Sequence, residues 1–549
     1  MSLTKTLTVN ASRTWKSVRV SRIRLTPQTQ PSVGRDQVKN DAGGYSFQVD
    51  KWTMLDRFLI LGTENGTYYA NNVDLTKQAF TNVLACIGED GKRVVARTLE
   101  ISRGGRAPKN DYALFVLALV FTTGDMNARQ AAKVALPGVA RTLAHLYQFV
   151  TFVTSYRGWG RALRSALDTW FYSFGHTELA YQFVKYRQRE GWTVRDLLRL
   201  SHSKAQVPGI RGNLFHWATK GWEDVGALPH ATPALQQIWA YERLKRETDP
   251  TAQVNLITSY RLPREAVPTK LLQETRIWQA LLADMPLTAR IRSLATLTAR
   301  GVLTPTSLET RETVAALLDT EKLRRARVHP LSILFALRTY ETGQGVLGSL
   351  KWTPVPQIIT SLNDAFHSAF TTVEGTGKRI LVAVDVSGSM QTARTVGPTP
   401  LSACEAAGAL ALTFLHSEPQ AQIVAFDTAV KTLPLHTRMS LREATLLVKT
   451  LSHGGTDCSA PIQWALNSKL DFDAIIILTD SQTWYGDGHP VEWLERYEKA
   501  VGHPVKLASV AMATNQFSIV GKDSANYLTA VGFDAQIPTI LNGFIAGEF

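Results

Sequence analysis

Between residues 45 and 372, apolar positions recur at intervals of three and four, in segments closed off by Gly, Pro or Asp. This periodicity predicts helices and almost no strands. The segments are Asp74 to Ile87, Lys92 to Ile101, Tyr112 to Phe121, Ala140 to Tyr156, Glu178 to Arg189, Val194 to His202, Pro233 to Glu247, Lys270 to Leu282 and Leu331 to Tyr340. Many short helices in series, with no long heptad run, predict stacked antiparallel pairs: an α-solenoid of irregular repeats with no fixed period in the letters. Such a fold offers a long curved surface, suited to something larger than a metabolite.

After Gly375-Thr376-Gly377 the texture changes to strand alternating with helix. Strands are expected at Ile380 to Val384, Gln422 to Phe426, Ala474 to Leu478 and Lys506 to Ala511. Helices are expected at Ala403 to His416, Leu441 to Leu451, Ala460 to Leu466 and Val491 to Val501. Apolar runs between amphipathic helices mean a mostly parallel, doubly wound sheet, which binds ligands at the carboxyl ends of its strands. The fold class is therefore α + α/β, with a basic flexible arm over 1–35, a helical region over 36–374 and the doubly wound domain over 375–549.

Charge sharpens this division. The chain has 549 residues and a formal net charge of +14. Residues 375–549 hold 12 Lys+Arg against 16 Asp+Glu, a balance of −4, whereas the first 374 hold 48 against 30, or +18. A basic half of this kind faces a polyanion, most commonly nucleic acid, or is simply a solvated basic surface. Residues 1–35 contain seven Lys+Arg and no acid. An Arg-rich, acid-poor start also resembles an organelle transit peptide, but no secretory-type apolar region follows. A hydrophobic fraction of 44% excludes global disorder. The longest apolar run, Tyr112 to Phe121, has ten residues, about half of what a membrane-spanning helix needs. Cys86, Cys404 and Cys458 are too few and too far apart for a disulfide framework or a zinc site. A reducing, cytoplasmic compartment is expected.

Two constellations carry chemistry. Asp385-Val386-Ser387-Gly388-Ser389 follows a buried strand, so one carboxylate and two hydroxyls can converge as oxygen ligands. The loops Gly454-Gly455-Thr456-Asp457 and Thr479-Asp480 lie on the same expected face. Hard oxygen donors with few carboxylates describe an octahedral Mg²⁺ site with an open position that could recruit a partner's carboxylate; the bland alternative is loop and helix capping. The second constellation lies in the helical region. Arg157, Arg161 and Arg164 are spaced by four and three; Lys185 and Arg189 stand one helical turn apart if the helix persists; Arg195, Arg199 and His202 repeat the first spacing opposite Val194, Leu197 and Leu198. Each stripe by itself is an ordinary solvated face, with Glu190 and Asp196 as candidate ion-pair partners. Together they suit phosphates, with Tyr186 or Trp192 available to stack on a base. No P-loop surrounds Gly377-Lys378, and neither HExxH nor a strand-borne GxSxG is present, so no catalytic apparatus is visible.

The Asp385 constellation resembles the metal-ion-dependent adhesion site of the von Willebrand factor A fold. That resemblance implies direct ligation by Ser387, Ser389 and Thr456, with Asp385 and Asp480 acting mainly through waters and Asp457 nearby. A wider set resembles one family, the Ro ribonucleoproteins, whose helical module is called TROVE. It comprises Gly43-Gly44-Tyr45-Ser46-Phe47-Gln48-Val49, Leu55-Asp56-Arg57-Phe58-Leu59, Gly66-Thr67-Tyr68-Tyr69, Gly158 to Arg164, Lys185 to Arg189 with Gly191-Trp192, and Asp196 to His202. Gly454 to Cys458, Thr514 to Phe517 and Val531 to Asp534 extend it across the doubly wound domain. The resemblance implies HEAT-like repeats closed into a ring by the A-like domain, with Y RNAs bound outside and single-stranded ends of misfolded noncoding RNAs entering the hole. It assigns Lys185, Arg189 and His202 as Y RNA contacts, with Arg187 and Arg199 in second place. It also implies association with an exoribonuclease such as polynucleotide phosphorylase.

The resulting expectation is a non-catalytic RNA-binding scaffold in small noncoding RNA quality control, carrying a divalent cation of the Mg²⁺ type. The competing expectation is a protein-protein adaptor that grips acidic polypeptides along the solenoid and captures a carboxylate at the metal. A nuclease using the metal is a third.

Overall fold

The computed structural model describes residues 24–62, 72–107, 109–203, 209–221, 232–326, 328, 330–345, 349–368, 375–393, 402–437, 439–451, 454–513, 515–521, 524–532 and 537–547. Residues 1–23 of the expected arm, Gly66 to Tyr69, Thr514, Phe533 and Asp534 lie outside that set. Two compact units divide the chain: Val83–Val328 with Phe335–Ala365, and Met1–Asn82 with His329–Leu334 and Phe366–Phe549.

The first unit is helical. Local capping explains where its helices begin: Asp125 accepts from Ala128 N, Thr142 from His145 N, Thr232 from Leu235 N and Asp249 from Ala252 N, each satisfying a donor left free at a helix start. The two helices expected around Asp90 are separated there by a kink (φ −153°, ψ 87°), with the Asp90 carboxylate accepting from Arg93 N. The helix expected from Ala140 starts at Leu143 because Thr142 caps it, and Met126–Val139, which the periodicity did not single out, precedes it. Asp111–Thr123 packs on both of these, and Arg161–Tyr172 packs on Val194–Ser201. Aromatic side chains fill the centre, with Phe171 against Trp170, Phe183 and Phe215 at ring distances of 5.5 to 6.1 Å. Each such ring buries a large apolar area and fixes the angle at which neighbouring helices meet.

The second unit is built on a six-stranded sheet in the order Tyr527–Val531, Lys506–Ala511, Ala474–Thr479, Ile380–Asp385, Ala421–Phe426, Val430–Thr432. All pairings are parallel except that of the edge strand Val430–Thr432. Every residue of Ile380–Asp385 and Ala474–Thr479 is buried, as central strands covered on both faces require. Leu381, Ala383, Ile475, Ile477 and Leu507 pack with Ile462, Leu494 and Tyr497, while Ala403–Ser417 lies on Ile380–Asp385 and Ala421–Phe426. Strand order reverses between Ile380–Asp385 and Ala474–Thr479, which places a crevice at their carboxyl ends. The sequence pattern missed both edge strands, which are short or only half-buried.

The amino-terminal segment departs most from expectation. Residues 24–35 are docked within this unit instead of forming a free arm: Thr26 N donates to Glu492 Oε2 over 2.8 Å, Ser32 Oγ to Glu492 Oε1 over 2.6 Å, and Arg35 pairs with Glu495. Tyr45–Gln48, expected to open the helical region, is a strand between Val38–Lys39 and Phe517–Ser518. Gly44 lets that strand approach; a Cβ there would sit 2.1 Å from the Thr483 carbonyl oxygen. The segment up to Asn82 thus belongs with the sheet unit, whereas the sequence boundary placed 36–374 together.

Candidate nucleic-acid interface and metal cleft

At the crevice, Asp385, Ser387, Ser389 and Asp480 come together, with Thr456 on the adjoining loop after Gly454, each at most 3% exposed. Backbone bonds tie the contributing loops: Val386 N donates to Phe426 O over 2.8 Å, and Gly388 N to Gly454 O over 3.4 Å. Asp385 accepts from Ser387 N over 2.9 Å and from Thr479 Oγ1 over 2.6 Å; the Ser387 and Ser389 hydroxyls are 3.1 Å apart. Burial pushes both carboxyls up from their ordinary range, and the charge of Asp480 pushes Asp385 further. Among the described residues neither carboxylate has an ion-pair partner, and no group of three or more His, Cys, Asp or Glu converges anywhere. A hard cation fits this donor set, since it would supply the missing positive charge and accept hydroxyl oxygens.

Asp457 stands apart from that task. Its carboxylate accepts from Gln28 Nε2 over 2.6 Å and from Ser459 Oγ over 2.6 Å, and burial pushes it up to about 6. Sequence reasoning also missed Asp41, whose carboxylate accepts from Gln482 Nε2 over 3.2 Å and raises Asp480. No pattern in the letters marks an acidic loop residue some 440 positions away as a neighbour.

The cations of the helical unit sit in three neighbouring places, though not always as expected. Arg157 is not on the helix of Arg161 and Arg164; it is the extended residue (φ −150°) that ends Leu143–Tyr156. Arg161 and Arg164 do share Arg161–Tyr172, Arg161 being exposed and Arg164 half-buried. Lys185 and Arg189 are not one turn apart, because the helix stops at Lys185 and a hairpin follows, Gln188–Arg189 pairing with Trp192–Thr193. Glu190 (φ 51°) and Gly191 (φ 77°) make its turn, the backbone that two-residue hairpin loops demand. Arg195 and Arg199 are exposed on Val194–Ser201 opposite buried Val194, Leu197 and Leu198, as the spacing predicted. His202 caps this helix in the left-handed conformation (φ 56°) and is exposed.

These groups adjoin. Val194 N donates to Arg187 O, Tyr147 Oη donates to Tyr186 O over 2.9 Å, and Trp192 meets Trp159 edge-on at 5.6 Å. Of the two acids the sequence offers as ion-pair partners, neither pairs with the track. Asp196 closes a capping box with Thr193, accepting its hydroxyl over 2.6 Å, and Glu190 occupies the exposed hairpin turn. Among the described residues no carboxylate forms an ion pair with Arg157, Arg161, Arg164, Arg187, Arg189, Arg195 or Arg199. Burial lowers Lys185; the nearby Glu265 carboxylate favours its charged form, and the like charge of Arg292 disfavours it. Arg292, exposed on Leu287–Ala299, extends the positive field from a helix much further along the chain.

A helical unit whose track arginines have no ion-pair partner among the described residues, joined in one chain to an A-like domain with an oxygen-lined crevice, matches known proteins in both parts. Residues 38–225 and 259–342 match the TROVE domain, and residues 379–545 match the Ro60 vWA domain. The chain is 37% identical over 525 residues to the RNA-binding protein RO60 of Deinococcus radiodurans, covering 95% of this chain and 97% of that protein. The chain belongs to the Ro60 family. The Ro60-family RNA-binding protein of Caenorhabditis elegans is 33% identical over 599 residues, covering 96% of this chain and 92% of that one. The crystal structure of Deinococcus radiodurans RO (RSR) protein superposes with a TM-score of 0.68 at 36% identity, covering 91% of this chain and all of that one. Family membership and the two-part fold class inferred from sequence thus stand, and no described helix is long and apolar enough to cross a membrane.

Proposed function

We propose that this Ro60-family chain is a non-catalytic RNA-binding scaffold that holds Y or Y-like small noncoding RNAs and the single-stranded ends of misfolded noncoding RNAs. The observation that carries the reading is the basic track of Arg157, Arg161, Arg164, Lys185, Arg187, Arg189, Arg199 and His202, whose arginines have no carboxylate partner among the described residues. Two relatives named RNA-binding proteins, each matching along nearly the whole chain, support it. Phosphates reward such a track through charge-assisted bonds and released counterions. Phosphate contacts fix position without reading sequence, so selectivity rests on RNA shape and on unpaired nucleotides.

The crevice has a separate role in this reading. Ser387, Ser389 and Thr456 hold a divalent cation of the Mg²⁺ class directly, with Asp385 and Asp480 acting through water. The bound ion supplies a Lewis-acidic position for a carboxylate of a partner protein. A processing exoribonuclease of the polynucleotide phosphorylase kind joins through the shared RNA.

The test is purification from cells under low salt. RNA that raises the ratio of absorbance at 260 to 280 nm, that nuclease removes and that proves on sequencing to be small structured RNA supports the reading. Protein free of RNA and unable to bind a structured RNA refutes it.

A further inference from the structure

One cation of the track is built differently from the rest. Arg187 is exposed, yet its guanidinium carbon lies over the indole of Trp217, 4.7 Å from the ring centroid, and 5.8 Å from that of Tyr241. The support beneath it is fixed. Trp217 is 1% exposed, and its Nε1 donates to Glu242 Oε1 over 3.1 Å. Tyr241 meets Trp217 edge-on at 5.9 Å and carries Lys245 Nζ 4.0 Å from its centroid. Lys185 ends the helix before Arg187 and Arg189 lies on the hairpin strand after it, while across the shared tyrosine Lys245 is ion-paired with Glu242 over 2.9 Å.

A guanidinium laid on a ring can still turn its N–H edges to a phosphate, but it also holds in place an outer face that an unbacked side chain does not. An arginine whose plane is backed by an indole keeps little conformational freedom and leaves its other face to solvent. That face is planar, delocalised and weakly hydrated, and nucleobases stack on such guanidinium planes as they do on aromatic rings. Lys185 does not share this construction; its ammonium sits 5.4 Å from the centroids of both Tyr181 and Tyr186, and a compact point charge offers no plane to a base.

We propose that Arg187, backed by Trp217, is a stacking platform for one unpaired nucleobase of the bound RNA, with Arg189 taking a flanking phosphate. This rests on the RNA-binding reading given above and adds to it a base subsite. Stacking area favours purines, and because no base edge is read the subsite accepts any sequence.

The experiment compares two single-stranded RNAs of about twelve nucleotides, one of adenosines and one of the same length with abasic riboses, by fluorescence anisotropy at several salt concentrations. The full chain is used as wild type, Arg187→Lys and Arg189→Lys. Wild type is expected to prefer the adenosine RNA. Arg187→Lys, which keeps the charge and loses the plane, is expected to bind the adenosine RNA roughly tenfold more weakly, with unchanged affinity for the abasic RNA and an unchanged salt slope. Arg189→Lys is expected to affect both RNAs alike. Wild type binding both RNAs equally, or Arg187→Lys losing the same factor on both or nothing on either, overturns the platform while leaving the basic track intact. Wild type binding neither RNA overturns the platform, and failure to bind a structured RNA as well overturns the RNA-binding reading beneath it.

Discussion

Gln28 Nε2 donates to Asp457 Oδ1 over 2.6 Å, although 429 positions separate the two residues. The same amide reaches Gly488 O over 3.1 Å, and its oxygen accepts from Thr483 Oγ1. Gln28 is wholly buried, so it acts as an internal polar rivet between the amino-terminal segment and the loop that carries Thr456.

Replacing Gln28 leaves a buried carboxylate without one of its donors, the costly way to lose a hydrogen bond. Gln28→Ala is expected to destabilise the sheet unit by about 1–3 kcal/mol, lowering the melting temperature and speeding amide exchange in residues 456–463. Unchanged melting and exchange would show that the segment merely rests on the domain.

The crevice makes a prediction about metal with two opposed signs. Two like-charged carboxylates buried together weaken the fold when no cation is bound, so Asp385→Asn is expected to raise the melting temperature in EDTA by a few degrees. Mg²⁺ is expected to raise the melting temperature of wild type and to do nothing for Asp385→Asn or for Ser387→Ala with Ser389→Ala. A wild-type melt indifferent to Mg²⁺ and Mn²⁺ would count against a cation site.

Acid sensitivity follows from two histidines. Burial, aided by Arg141, holds His145 down at about 4, and burial with His416 beside it, 4.4 Å between ring centroids, holds His367 at about 4. Their folded values lie below the ordinary 6.5, so both are neutral in the native protein. The stability they confer is complete above about pH 6.5 and is lost as pH falls towards 4, on the order of 2 kcal/mol for each. Thermal melts at pH 7 and pH 5 check this: because the raised carboxyls of Asp385, Asp480 and Asp457 gain stability over the same interval, the readout is the difference between proteins, His145→Gln being expected to fare better on acidification than wild type does. Equal changes would remove His145 from the account.

Much of this architecture was legible in the letters, and the exceptions share a cause. Strand Ile380–Asp385 and its sequel announced themselves because a buried strand followed by Asp, Ser and Ser at alternate positions leaves little else to form. The stripe of Arg195 and Arg199 was equally plain, since Val194, Leu197 and Leu198 fix which face of their helix is buried. By contrast, the helix expected through Arg189 stops at Lys185 because Glu190 and Gly191 take positive φ, a local choice that helical periodicity does not register. The docking of Thr26, Gln28 and Ser32 on Glu492 and Asp457 was invisible for a different reason. Polar residues in a basic, acid-free stretch look solvated until their distant partners are known. Arg292 escaped likewise, being brought near Lys185 by packing and not by spacing.

The central claim is that cations from separate turns of the helical unit grip an RNA backbone together, and a salt titration tests it most directly. Wild type and Lys185→Ala with Arg189→Ala are titrated with a hairpin RNA bearing a single-stranded 3′ extension, across a range of monovalent salt. The account predicts weaker binding by the double variant and a plot of log affinity against log salt shallower by roughly 1.5, the loss of about two phosphate contacts. Equal affinity and an equal slope for the two proteins would contradict it.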